Sequence, residues 1–238
     1  RDAGVDTIVT YNVDNPLLRL GRPEFLGHHH EADSQMTTIV VRKERPDERV
    51  GIVGMLDGTT VLIEYSDLPQ QLAELRNPDG TLRHWAGSVA AHAIAIDFAE
   101  RVTDGLPFHR AVKLVPYIDD AGELVTPDRE NAIKFEAFMF DALPMARRAL
   151  SVESLRSDEF SPIKNADGDD SPDTARRDLN RVYARWLREA GIALPLNADG
   201  TPTVDIEIDP AFALDAEQLR ARLAGGFSPR PGEPIVLR

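Results

Sequence analysis

Cysteine is absent from this chain of 238 residues, which excludes disulfides and thiolate metal sites. Long apolar runs are also absent, since no stretch approaches the ~20 apolar residues that a membrane-spanning helix needs. Positive charge is scarce: 27 Lys and Arg against 40 Asp and Glu give a net charge of −13. We therefore expect a cytoplasmic protein that binds neither nucleic acid nor membrane, although a few cations could still serve one small phosphorylated ligand.

Several motifs of common enzyme classes are missing as well. The sequence contains no GxSxG, no HExxH and no Walker loop, so serine hydrolase, zinc protease and P-loop readings have no support. What is present is the composition of a folded protein, with 42% hydrophobic residues. The length suffices for one large core or two modest domains.

The order of patterns predicts a mixed α/β fold. Strands are predicted at TIVTYNVDN, which ends on Asp14, and at Thr38–Lys43, Val50–Met55 and Thr60–Tyr65, the last two joined by an Asp57-Gly58 turn. Helices are predicted near the end of GSVAAHAIAIDFAERVTDG, at ALPMARRALSVESL, and at SPDTARRDLNRVYARWLREAG. The segment TVDIEIDPAFALDAEQLRARL predicts a strand followed by a helix.

Four local patterns each allow a functional and a purely structural interpretation. Asp14 ends a strand, where open α/β sheets collect ligands, but Asp-Asn-Pro also makes simple turns. In IEYSD, Glu64 and Ser66 would share one face of a strand. Lys134 lies among three phenylalanines and can be a surface lysine. The triple histidine, residues 28–30, favours a solvated loop over a metal site, because adjacent side chains do not face one another.

The segment DEFSPIKNADGDD, residues 158–170, holds a single lysine, Lys164, among carboxylates and turn formers. Such a segment can be a solvated linker, or it can present a cation to a ligand more negative than itself.

The order of several sequence motifs decides between these two interpretations of Lys164, because it resembles that of a known family. Over about residues 5–191, the chain closely resembles the UDP-N-acetylhexosamine pyrophosphorylases in the order and spacing of its motifs. The segments that carry this resemblance are VDNPL, RPEFLG, RVGIV, IEYSD, VKLVPYID, IKFEAFMFD and DEFSPIKNADG. The resemblance implies the C-terminal half of a Rossmann-like, glycosyltransferase-A-like nucleotidyltransferase with a mixed sheet. On this basis residues 1–165 are the C-terminal half of the catalytic domain, and residues 166–238 are a C-terminal helix and β/α extension.

The resemblance also implies roles for particular residues. It makes Lys164 catalytic toward the phosphates, Lys134 a binder of the nucleotide phosphates, and Asp14 the ligand of Mg²⁺ at the triphosphate. The residues it assigns to the sugar are Gly51, Glu64, Tyr65, Ser88, Phe138 and Phe140. The implied partners are UTP and a sugar 1-phosphate, brought together with release of pyrophosphate.

Two departures from the family pattern limit these expectations. The family's Gly-rich nucleotide loop, GGGxGTRLG, is not in the sequence, so we expect the N-terminal half of the enzyme to be missing and this fragment to be inactive alone. Ser88 stands where the family has an asparagine that contacts the sugar, so UDP-glucose or a broader set of UDP-sugars is an alternative product. A non-catalytic module that binds sugar phosphate or nucleotide is a further alternative.

Overall fold

A mixed α/β fold is seen in the computed structural model, which describes residues 2–102 and 105–238. The strands are β1 Thr7–Thr10, β2 Met36–Arg42, β3 Ile52–Leu56, β4 Thr59–Ile63, β5 Ala86–Ala95, β6 His109–Lys113, β7 Tyr117–Ile118, β8 Leu124–Val125, β9 Ala132–Glu136, β10 Ala149–Glu153, β11 Ile206–Ile208 and β12 Ile235–Leu237. The helices are α1 Pro23–Glu31, α2 Gln70–Ala73, α3 Ile96–Val102, α4 Arg156–Glu159, α5 Pro172–Glu189 and α6 Ala216–Leu223, with a 3-10 helix at Met139–Met145. Within the described ranges, none of these helices has the length and apolar character to cross a membrane.

The central sheet has the strand order β10-β2-β5-β3-β4, and β1 also pairs with β5. The β10–β2 pair is parallel and the other pairs are antiparallel, so the sheet is mixed, as predicted. Strand β5 pairs with β2 along one edge. On its other edge it pairs with β1 at residues 92–95 and with β3 only at Gly87. Between these two pairings the edge of β5 opens, and this opening positions the candidate site.

Two apolar clusters hold this sheet, and a third lies in the C-terminal part of the chain. Strand β2 is buried along almost all of its length because its β-branched side chains pack on both faces. Helix α5 begins as the sequence predicts, with Ser171 and Thr174 forming a capping box and Pro172 in the first turn. The third cluster joins α5 and α6 to the parallel pair β11–β12.

One predicted helix is wrong. The segment ALPMARRALSVESL contains the end of the 3-10 helix and then strand β10, which pairs in parallel with β2. Pairing against the buried central strand overrides the helical propensity of this segment. The strand β12 was not predicted, whereas the strand and helix before it, β11 and α6, were.

The histidine prediction is also wrong. Residues 28–30 lie in α1, which begins at Pro23, and they do not form a solvated loop. His29 is 2% exposed, and its Nδ1 lies 2.8 Å from Oγ1 of Thr37 on β2. The middle histidine is therefore a core residue that ties α1 to the sheet.

Two further boundaries differ from the prediction. Strand β4 ends at Ile63, so Glu64 follows the strand and Tyr65 and Ser66 lie in a turn, not on alternating strand faces. The small-residue segment before α3 is strand β5, and α3 ends at Val102 in the described ranges. The predicted end of that helix, residues 103–104, lies outside the described residues.

Candidate active site

A cavity of about 430 Å³ lies at the opening beside β5, where the end of β1 and the start of β3 approach the middle of that strand. Small-molecule sites commonly occupy ~300–1,000 Å³. The structure brings eight of the nine sequence-predicted site residues to its wall: Asp14, Gly51, Glu64, Tyr65, Ser88, Phe138, Phe140 and Lys164. The ninth, Lys134, does not line this cavity.

The segments that carry Asp14 and Lys164 are fastened to each other by buried hydrogen bonds. The Asn15 side chain is 5% exposed; its Nδ2 donates to the Glu159 carbonyl at 2.7 Å, and its Oδ1 accepts from the Ser161 amide at 3.1 Å. The Ile163 amide adds a bond of 2.8 Å to the Asp14 carbonyl. These three bonds explain why two motifs so distant in sequence meet at one cavity.

A buried ion cluster supports this junction from behind. The Glu159 side chain is fully buried, and Arg22 Nε and Arg19 Nη2 lie 3.0 Å and 3.4 Å from its Oε1. Burial raises the pKa of the Glu159 carboxyl, while the two guanidinium groups lower it. We take the carboxyl to be ionised, because two cations and the Arg19 amide contact it. Removing both arginines would leave the buried Glu159 charge uncompensated.

Lys164 projects from an exposed loop, and its ammonium is held by a neutral partner. Its Nζ donates to the Arg49 carbonyl at 2.8 Å and lies 5.9 Å from the centre of the Phe160 ring. Its backbone amide donates to the Asp170 carbonyl at 2.7 Å. A carbonyl orients the ammonium without cancelling its charge, so the charge stays available to an anion in the cavity.

Glu64 is the half-buried acid of the cavity. Burial raises the pKa of its carboxyl, nearby Asp67 raises it further, and Lys164 and His109 act in the opposite direction. The Oε1 of Glu64 lies 3.5 Å from where a Cβ on Gly51 would be. That same Cβ would meet Leu62 Cδ2 at 2.8 Å, so any larger residue would displace the wall here.

Two stacked rings form an apolar side of the cavity. Phe138 and Phe140 have their centroids 4.9 Å apart and their planes within 10°. The His109 ring packs against Phe138 at 4.9 Å, and its Nε2 lies 2.7 Å from Asp141 Oδ2. The aromatic pair is thus fixed by a histidine–aspartate contact, and neither of those two residues was predicted.

The floor of the cavity contains three residues of β5 in an unusual arrangement. Ser88 is 8% exposed, and its Oγ accepts from the Ala90 amide at 3.1 Å. Ala90 has a φ of 56°, in the left-handed region that residues with a Cβ rarely adopt. The buried His92 bonds Thr38 Oγ1 at 2.9 Å, and burial lowers its pKa to about 4. Neither the burial of His92 nor the left-handed conformation of Ala90 can be read from the local sequence.

Lys134 lies elsewhere, on β9 in the two-stranded ribbon that β9 forms with β6. Its side chain is 61% exposed, and it forms an ion pair with Glu136 on the same strand. This geometry is that of a surface lysine, and the phosphate role implied for Lys134 stays a prediction.

Asp14 fits the role of a single protein ligand for Mg²⁺. Asp14 lines the cavity, and no side chain among the described residues is hydrogen bonded or ion-paired to its carboxylate. The described part of the chain contains no group of three or more His, Asp and Glu side chains that could hold a metal without further ligands. Mg²⁺ is commonly held by one or two carboxylates together with substrate phosphates and water, which matches one unpaired aspartate in a cavity that also contains Lys164.

Comparisons with known proteins agree with this architecture. No family model matches the chain. A UDP-N-acetylhexosamine pyrophosphorylase-like protein of Xenopus tropicalis is 39% identical over 92% of this chain and 46% of its own length. A UDP-N-acetylglucosamine pyrophosphorylase of Saccharomyces cerevisiae is 33% identical over 79% of this chain and 41% of its own.

A solved structure extends the match to the whole fold. The UDP-N-acetylglucosamine pyrophosphorylase of Trypanosoma brucei superposes with a TM-score of 0.78 and 26% identity, covering 100% of this chain and 50% of that one. The mixed sheet with its edge cavity is therefore the fold of a nucleotidyltransferase-like α/β protein. The chain is a homologue of the UDP-N-acetylhexosamine pyrophosphorylases, and it spans about half the length of the curated relatives it matches.

Proposed function

We propose that this chain supplies the sugar and phosphate side of a uridylyltransferase active site. The reaction would make UDP-N-acetylhexosamine and pyrophosphate from UTP and N-acetylhexosamine 1-phosphate. The observation that supports this most directly is the gathering of eight motif residues, from segments far apart in sequence, around one cavity of about 430 Å³. The names of the homologues point to the same product class.

The chemistry needs charge control more than covalent help from the protein. A phosphate oxygen of the sugar 1-phosphate attacks the α-phosphorus of UTP, the bond to the bridging oxygen breaks, and pyrophosphate leaves. Both reactants are anions that repel each other, so positioning and neutralisation lower the barrier. Lys164 suits this task because a carbonyl holds its ammonium and leaves the charge uncancelled.

The other lining residues suit a sugar that carries an N-acetyl group. The stacked Phe138 and Phe140 offer an apolar wall for the acetyl methyl. Glu64 and Ser88 offer oxygen atoms to the sugar hydroxyls, and Tyr65 is half exposed at the wall. Gly51 lines the same wall, and a side chain there would displace the end of Leu62 and crowd the Glu64 carboxylate.

Mg²⁺ and the nucleotide partner belong to the same proposal. Asp14 would hold the metal, which when bound neutralises part of the triphosphate charge. Three expectations stay predictions from the sequence. They are that an N-terminal half with the Gly-rich nucleotide loop is missing, that this fragment alone is inactive, and that the protein is cytoplasmic.

A broader choice of sugar is the second candidate, and Ser88 favours it. A serine hydroxyl reaches less far than the asparagine amide of the family pattern and forms fewer hydrogen bonds. Its Oγ is also engaged by the Ala90 amide, which leaves it less free for a ligand. UDP-glucose or other UDP-sugars are therefore the alternative products.

The test is turnover by the protein that the whole gene encodes. Given UTP, Mg²⁺ and N-acetylglucosamine 1-phosphate, it should release pyrophosphate faster than with glucose 1-phosphate. Faster release with glucose 1-phosphate would favour the alternative, and no release with any sugar phosphate would leave only a non-catalytic binding module. The 238-residue chain assayed alone should show no turnover, because it is expected to hold only half of the site. Turnover by this chain at normal enzymatic rates would contradict that account.

A further inference from the structure

Arg49 joins the candidate active site to a second cavity of about 580 Å³ and lines both. It lies in the connection between β2 and β3, directly before Val50. Its carbonyl accepts the Lys164 ammonium at 2.8 Å, so the Arg49 backbone and the Lys164 charge are neighbours in one wall. Arg49 is the first residue of the RVGIV segment, in which the family resemblance assigned a role only to Gly51.

The other arginines of the second cavity are all neutralised by carboxylates. The pairs are Arg45–Asp47 at 3.4 Å, Arg156–Glu48 at 2.8 Å, Arg177–Asp178 at 3.1 Å, Arg181–Asp178 at 3.1 Å and Arg185–Asp158 at 2.9 Å. The exposed Arg49 side chain forms no ion pair with any described residue. Among the described arginines that line the second cavity, Arg49 is thus the one without an ion pair, and its guanidinium is free for another role.

The charge balance of the candidate active site supplies one. Its wall contains two acids, Asp14 and Glu64, and two cations, Lys164 and Arg49. Without Arg49 and before any metal binds, the side chains of the wall would carry a net negative charge when both acids are ionised, and they would repel a phosphate. Lys134, to which the resemblance assigns the second cationic role, is paired with Glu136 outside the cavity.

We propose that Arg49 binds phosphate oxygens of the sugar 1-phosphate together with Lys164. This inference rests on the proposed function, because it names a second phosphate ligand in the same cavity. A guanidinium presents two parallel N–H donors to a phosphate, whereas an ammonium acts as a point charge. Arg49 therefore fixes the orientation of the phosphate, and Lys164 supplies the second charge.

The test uses the 238-residue chain and calorimetric titration with N-acetylglucosamine 1-phosphate. Arg49→Gln should weaken binding about 10- to 100-fold, the scale of a lost charge-assisted hydrogen bond. Arg45→Gln is the matched control, since Arg45 lies in the same connection but lines only the second cavity and is paired with Asp47. It should change affinity less than about twofold, as expected for a screened surface pair. Arg49→Lys should bind more tightly than Arg49→Gln but less tightly than the unaltered chain, because lysine keeps the positive charge and lacks the two parallel N–H donors.

Titration with N-acetylglucosamine, which lacks the phosphate, separates binding of the phosphate from binding of the sugar. Arg49→Gln should leave that weaker binding unchanged. Equal affinities of Arg49→Gln and Arg45→Gln for the phosphorylated sugar would overturn the role of Arg49 while the proposed function stands. Failure of the unaltered chain to bind N-acetylglucosamine 1-phosphate at all would contradict both proposals.

Discussion

Replacing Asn15 by alanine tests the junction that brings Asp14 and Lys164 together. The substitution removes both buried hydrogen bonds of the amide and leaves the Glu159 carbonyl and the Ser161 amide without that partner. Each unsatisfied buried group costs about 1–3 kcal/mol, so the free energy of unfolding should fall by about 2–6 kcal/mol. Chemical denaturation followed by circular dichroism would measure this loss.

The matched control for Asn15 is Asn165→Ala. Asn165 donates its side-chain Nδ2 to the Asp169 carbonyl at 2.7 Å within the exposed loop, where water can replace the bond. Its loss should cost less than about 1 kcal/mol. A loss of stability in Asn15→Ala no greater than in Asn165→Ala would refute the reasoning, because the junction would then not depend on the buried amide.

Three further predictions concern residues of the cavity wall. Burial lowers the pKa of His92 to about 4 from its ordinary 6.5, so its contribution to stability is present above pH 6.5 and is lost as the pH falls toward 4. Between pH 7 and pH 5 the unaltered chain should therefore lose about 2 kcal/mol more than His92→Gln, and denaturation curves that shift equally in both proteins would contradict this. Ser88→Asn should sharpen the preference among sugar 1-phosphates by roughly tenfold, one hydrogen bond's worth, and unchanged kcat/KM ratios would show that Ser88 does not touch the sugar. In the protein encoded by the whole gene, Asp14→Asn should raise the Mg²⁺ concentration for half-maximal rate and lower kcat, yet leave metal-free UTP binding intact or tighter. A Mg²⁺ titration that is unchanged while folding is lost would make Asp14 only a turn residue.

Motif order predicted which residues lie together at one cavity better than local propensity predicted the helices and strands. Lys164, Asp14 and Phe138 come from three segments whose individual patterns allowed structural interpretations, and only their joint order indicated a common site. The physical reason they meet, the Asn15 amide bridging to Glu159 and Ser161, is a tertiary contact that no local pattern contains.

The errors have tertiary causes as well. Residues 149–153 have helical propensity but form strand β10, because pairing with buried β2 outweighs that preference. His29 reads as polar, yet a bond to Thr37 lets it enter the core. Arg49 opens the RVGIV segment but received no predicted role, because its lack of an acidic partner is visible only when the neighbouring ion pairs are known.

The most direct test of the central claim compares two lysines in the protein that the whole gene encodes. Lys164→Ala should lower kcat for pyrophosphate release by about 10²–10³, the scale of losing one preorganised charge at a transition state. Its melting temperature should hardly change, because Lys164 lies on an exposed loop. The control is Lys113→Ala, which removes an exposed lysine of β6 that does not line the cavity, and it should leave kcat unchanged. Equal kcat values for the two variants, or a loss of melting temperature in Lys164→Ala with kcat intact, would contradict the assignment of this cavity as the site of uridylyl transfer.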